Sequence, residues 1–169
     1  AHLYRSWIVD NYYDLPDRIL FVHGHESSWH IRSTVRMITE CLDWNTAHDF
    51  VPINIGGDWG WRYQNILVST SMTPLLFEWW GKVFGPWLGG SIRPPSRLGF
   101  FCCATFLVKI ERILARPLDA WKTWRDWTLL PSQDLSRTGR MMEYLWHLLL
   151  GEPPVMIDWV PSSKVFMNC

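Results

Sequence analysis

A short apolar run that stops on clustered histidines constrains this chain more than any other stretch. Ile19-Leu20-Phe21-Val22 follows the breaker Leu15-Pro16-Asp17, and four β-forming residues after a turn signal read as a buried strand. The run ends at His23-Gly24-His25, with Glu26 and His30 close behind, so three of the six histidines lie within eight residues. Imidazoles gathered where a hydrophobic strand ends suit an α/β protein that carries its chemistry at the carboxyl ends of its strands. Side chains two apart on an extended segment point the same way, so His23 and His25 can converge on one ion or one ligand oxygen. The plainer reading is a polar loop whose histidines bond backbone carbonyls.

The rest of the composition narrows the function classes. A length of 169 residues suits one domain with a sizeable core, and thirteen tryptophans demand a packed, aromatic-rich interior. Sixteen basic and sixteen acidic residues leave a net charge of zero. No nucleic-acid partner is therefore expected, because backbone binding needs a basic face. No apolar run reaches the length of a membrane span, and Ala1 to Trp7 lacks the pattern of a signal peptide. The cysteines are Cys41, Cys102, Cys103 and Cys169. Without a Cys-x-x-Cys pair they suggest neither a zinc ribbon nor a disulfide scaffold, and Cys102 and Cys103 read as buried structural thiols on alternate faces of a strand.

Along the chain, Leu3–Tyr13 carries a helical stripe ended by Pro16, and Ile31–Leu42 fits a helix after the histidine loop. Residues 50–55 read as a short edge strand, because Pro52 cannot donate to a ladder. Gly56–Arg62 reads as a turn-rich loop. Thr73-Pro74 is a helix start, and Gly81, Gly85 and Pro86 break that helix, so residues 73–98 read as an insertion in an otherwise single domain over 1–169. Phe100–Val108 reads as one central strand beside Ile19–Val22, apolar on both faces. Helices are expected over Lys109–Arg116, then from Pro117, and over Leu135–Leu150, where Gly151 and Pro153-Pro154 mark the end. Arg140, Glu143 and His147 share one face of this last helix. They form either a structural network or a face turned to the His23–His25 loop.

Tyr4 through His30, Cys102-Cys103-Ala104-x-Phe106-x-Val108, Arg116-Pro117 and Ser136-x-x-Gly139-Arg140-x-x-Glu143-Tyr144-Leu145-Trp146-His147 together resemble an uncharacterised, mainly fungal family, domain of unknown function 3431. The resemblance covers most of the chain. Family strands expected before Tyr4 are absent, Thr105 stands where a Gln is usual, and the cysteine-rich tail is reduced to Cys169. The chain thus reads as an N-terminally truncated relative. The family's layout in turn resembles glycosyltransferases of the GT-A type, which implies a Rossmann-related, three-layer α/β domain. In such enzymes a strand ends in an Asp-x-Asp that binds the metal of a nucleotide sugar, and His23-Gly24-His25 occupies that place.

The resemblance implies a transferase taking a small-molecule or nucleotide-sugar substrate, with a divalent metal as cofactor. Glu143 and His147 would be its catalytic residues, Arg140, His30 and Arg62 its substrate-binding residues, and His23 and His25 its metal ligands. Imidazoles suit zinc or another transition ion better than magnesium. Two other readings stand beside it. One is an aminoacyl-tRNA-dependent cyclodipeptide synthase of fungal secondary metabolism, which the neutral charge disfavours. The other is a non-catalytic binding remnant.

Overall fold

The sheet is built on the strand whose residues are apolar on both faces. A computed structural model describes residues 2–24, 35–53, 61–65, 73–101, 104–130 and 134–156. Within it β1 (Arg18–Phe21), β2 (Phe50–Pro52) and β5 (Phe106–Lys109) form a three-stranded sheet in the order β1-β5-β2. Phe106, Leu107 and Val108 are buried whichever way they point, which suits the middle place. Pro52 has no N–H for a further ladder, and β2 is accordingly an edge. Both outer strands run antiparallel to β5, with Phe21 and Pro52 both in register with Phe106. The carboxyl ends of β1 and β2 therefore meet at one edge, over the first residue of β5.

Helices lie on both faces. Phe106 and Val108 join Ile19 and Phe21 in the larger core. That core takes Ile8 of α1 (His2–Asp10), Trp121 and Trp124 of α5 (Leu118–Thr128), and Leu145 and Trp146 of α6 (Leu135–Leu149). Leu107 alternates to the other face, where Val51 and Ile53 meet Ile38 of α2 (Val35–Cys41) and the adjoining Leu42. This is mixed helix and sheet, with a small antiparallel sheet, compatible with the α/β class.

The helix starting at Thr73 forms α3 (Thr73–Trp79), continues as a π-helical turn at Trp80–Phe84 and tightens to a 3-10 turn at Gly85–Trp87. Gly85 is required by close approach, since a Cβ there would overlap the Ser91 carbonyl oxygen. Leu75, Leu76, Trp80 and Phe84 from this region all enter the larger core. After β5, α4 (Ile110–Leu114) is shorter than the expected Lys109–Arg116 helix, and Pro117 is the N-cap of α5. Helix α6 starts on Asp134, whose carboxylate accepts from the Ser136 and Arg137 N–H groups. It ends in Gly151 at φ +85°, with the Glu152 N–H donating to the His147 carbonyl at 2.8 Å. Arg116 caps the same end, donating to the Leu149 and Leu148 carbonyls at 2.9 and 3.1 Å.

Three expectations are corrected. Phe100–Val108 is not one strand: Phe100 and Phe101 end β4 (Arg97–Phe101), which pairs with β3 (Trp61–Asn65) in a separate two-stranded sheet. Between β4 and β5 the chain turns through Ala104 at φ +47°, a conformation that an apolar run does not advertise. Trp61 and Arg62 consequently lie in β3 rather than in a loop. The third correction is chemical, for Cys41, 4 % exposed at the end of α2, is disulfide-bonded. The other three cysteines, including the expected structural thiols Cys102 and Cys103, lie outside the described residues.

Candidate functional site

The shared carboxyl edge of β1 and β2 is covered by α6. Trp146 is the contact, stacked at 20° and 6.4 Å on Phe21 of β1 and tilted at 5.3 Å on Phe106 of β5. The late helix thus meets the end of the first strand through an indole. Tyr4 of α1 reaches the same place, 4.7 Å from Phe21, 6.3 Å from Phe106 and 5.8 Å from Trp146 between ring centroids. Phe50 of β2 adds a ring 5.4 Å from Phe106. A small cleft opens there, lined by Phe50, Phe106 and Trp146, by Glu143 and His147, and by Pro52, Ala104, Thr105 and Met156.

Glu143 and Trp146 are one turn apart on α6, so the carboxyl sits beside the indole. Among the described residues Glu143 enters no ion pair and no hydrogen bond. Desolvation by burial raises its pKa above the usual carboxylate range, and the charges of the chain's N-terminal amine and of the exposed Arg140 work the other way, in that order. Burial, seconded by the Glu143 charge, likewise pushes the Tyr4 hydroxyl up. Arg140 and Glu143 therefore do not form the structural pair that was one of the two readings of this face.

His147 is 2 % exposed, and its Nε2 lies 3.2 Å from the Pro154 carbonyl. A carbonyl can only accept, so this nitrogen carries the proton and donates. Burial lowers the imidazole to about 4, against which the Pro154 bond works, so the ring is neutral at pH 7. Since folding disfavours its protonation, the stability tied to the neutral ring is complete above pH 6.5 and lost as pH falls toward 4. The span of the shift is worth about 3 kcal/mol. The raised Glu143 acts oppositely, its contribution returning on acidification. Urea denaturation at pH 7.5 and pH 4 should show the wild-type chain losing about 3 kcal/mol more than His147→Gln; equal losses would refute this origin of acid sensitivity.

The first histidine of the opening motif, His23, follows β1 by two residues and is half-buried. An added Cβ at Gly24 would meet nothing within 4 Å, so that glycine is not demanded by crowding. His25 and His30 lie outside the described residues, as does the Arg62 side chain. Among the described residues no group of three or more His, Cys, Asp or Glu is arranged to hold a metal. Residues that sequence reasoning missed are the aromatic ones, Tyr4, Phe50, Phe106 and Trp146. The available signal was the Glu143–Trp146 spacing of one helical turn.

A family model described as "Protein of unknown function (DUF3431)" matches residues 1–160. The chain belongs to this family. No curated protein and no solved structure matches it. No helix among the described residues of this family member is long and apolar enough to cross a membrane.

Proposed function

We propose that this domain is a glycosyltransferase-like group transferase, with Glu143 as the general base at the acceptor end of its site. The observation that carries the reading is the half-buried Glu143 carboxyl, which makes no ion pair or hydrogen bond among the described residues, in a cleft that Phe50, Phe106 and Trp146 help to line. β1 and β2 both end, and β5 begins, at the sheet edge where this cleft opens. A carboxyl moved toward neutrality by burial is suited to take a proton from an acceptor and release it later. Its surroundings exclude water from one side, so the transferred group would be guarded from hydrolysis.

The cleft is too small to take a whole nucleotide sugar, so in this reading it meets only the reacting end of the acceptor. In this proposal His23 and His25, beyond the end of β1, hold the donor diphosphate through a divalent metal, which would neutralise the leaving group. Arg140 at the rim binds a phosphate or carboxylate, with His30 and Arg62 as further donor contacts. His147, tied to Pro154, holds the α6 face in place rather than moving protons.

Calorimetry with UDP-glucose, UDP-N-acetylglucosamine and GDP-mannose, each with zinc or manganese, tests the donor class. At least one should bind in the micromolar to millimolar range, with the heat lost in the double variant His23→Ala/His25→Ala. Absence of binding by all three would rule the donor reading out.

A further inference from the structure

Helix α1 is held down by little apolar surface. Of its nine residues only Arg5 and Ile8 are buried, and Arg5 is the larger. Its outer side is open, with Leu3 77 % and Trp7 39 % exposed. Taking a charge out of water is costly unless partners compensate it. Arg5 donates to the Thr128 hydroxyl at 2.9 Å. It lies 5.9 Å from the Trp146 ring centre, close to the limit of about 6 Å for cation–π contacts. Among the described residues it pairs with no carboxylate, and its Nε and Nη1 have no acceptor. The Trp146 indole N–H has none there either. Burial lowers the Arg5 pKa only to about 9, so the group stays charged at pH 7. His2, one turn away, brings no relief, for its own pKa is lowered by burial and then by the Arg5 charge.

We propose that α1 is a strap that opens as a unit, pivoting at Tyr12 and uncovering the rings beside Glu143. Opening returns the guanidinium to water, which satisfies all its donors, so it takes less free energy than unfolding the domain. The apolar loss that opposes it is small: buried Ile8, with half-buried Tyr4 and Val9. The pivot is anchored, because the Tyr12 hydroxyl donates to the Arg116 carbonyl at 2.6 Å, and Arg116 is itself bonded to the end of α6. Tyr4 is the ring that the motion carries off Phe21, Phe106 and Trp146, and Trp7 leaves Phe21 with it. Phe106 and Trp146 also line the cleft, which would widen on that side. The strap stands whether or not Glu143 is a catalytic base.

Residue-resolved amide hydrogen exchange at pH 7, on the wild-type chain and Arg5→Met, tests the strap. Methionine is unbranched and apolar, and Thr128 keeps its own bond to the Arg125 carbonyl at 2.7 Å. In the wild type, α1 amides should exchange about 100-fold or more faster than those of α5, which open with the whole domain. Arg5→Met should slow α1 exchange by about tenfold or more, because closure no longer buries a charge. A helix that merely frays would not respond to Arg5 in this way. Wild-type α1 amides protected as strongly as those of α5 overturn the proposal, and that comparison needs no variant. Unchanged or faster α1 exchange in Arg5→Met also overturns it. So does loss of the fold in that variant, since the guanidinium would then be holding α1 in place.

Discussion

Replacement of Glu143 by glutamine is expected to lower turnover by about 10²–10⁴-fold while leaving the fold intact, the range for loss of a positioned acid or base. Glutamine matches the carboxyl in shape but cannot take a proton. Nothing in the fold leans on the charge, since Glu143 makes no ion pair or hydrogen bond among the described residues. A buried carboxyl without partners costs stability when ionised, so thermal stability should hold or rise slightly. The pH profile carries the second half of the test. A base works deprotonated, so wild-type kcat/KM should rise with pH through a pKa above the usual carboxylate range, in line with burial raising Glu143. The N-terminal amine and Arg140 oppose that rise through their charges, and Tyr4 responds to the Glu143 charge. Glu143→Gln should lose this limb of the profile. An unchanged rate in the variant would remove Glu143 from catalysis.

The elements foreseen from sequence are those fixed by local chemistry. Pro52 cannot donate a backbone N–H, and β2 is an edge strand. Thr73-Pro74 begins a helix, and Gly151 closes one at positive φ. The strand at Ile19–Phe21 follows from its apolar run between a turn and a histidine cluster. Each of these signals lies within a few residues of the feature it controls.

What stayed hidden depends on partners far along the chain. Phe100–Val108 is apolar throughout, so its period does not show that Phe101 belongs with Trp61 while Phe106 belongs with Phe21 and Pro52. Disulfide bonding of Cys41 depends on which residues the fold brings together, and cysteine spacing does not encode that. Arg5 is a sharper case. Although charged, it is fully buried on α1, donating to the Thr128 hydroxyl at 2.9 Å and lying over Trp146. Burial drops its pKa to about 9, and among the described residues its Nε and Nη1 have no hydrogen-bond acceptor. The aromatic part of the cleft was hidden for the same reason: Phe50, Phe106 and Trp146 come from three elements far apart in the chain. Sequence periodicity assigns each ring to a core, and only the packing shows that this part of the core opens beside a carboxyl.

Trp124→Ala should be the most damaging single change to the fold, costing about 3–5 kcal/mol from the lost side chain and the cavity it leaves. Trp124 is 0 % exposed on α5, facing the larger core. Its indole N–H donates to the Val83 carbonyl at 3.0 Å, tying α5 to the π-helical turn at Trp80–Phe84. Truncation would leave that carbonyl without its partner, adding about 1–3 kcal/mol where water cannot reach it. The edge-to-face contact with Trp121, at 5.0 Å and 87°, would go as well. Small domains have a total stability of only about 5–15 kcal/mol, so the variant should be largely unfolded at 37 °C or melt far below the wild type. Trp124→Phe keeps most of the volume and loses the N–H, and should fall between the two. Urea denaturation of the three proteins separates packing from hydrogen bonding. A loss below about 1 kcal/mol for Trp124→Ala, the level of an ordinary surface change, would mean that α5 and the π-helical turn are not packed as described.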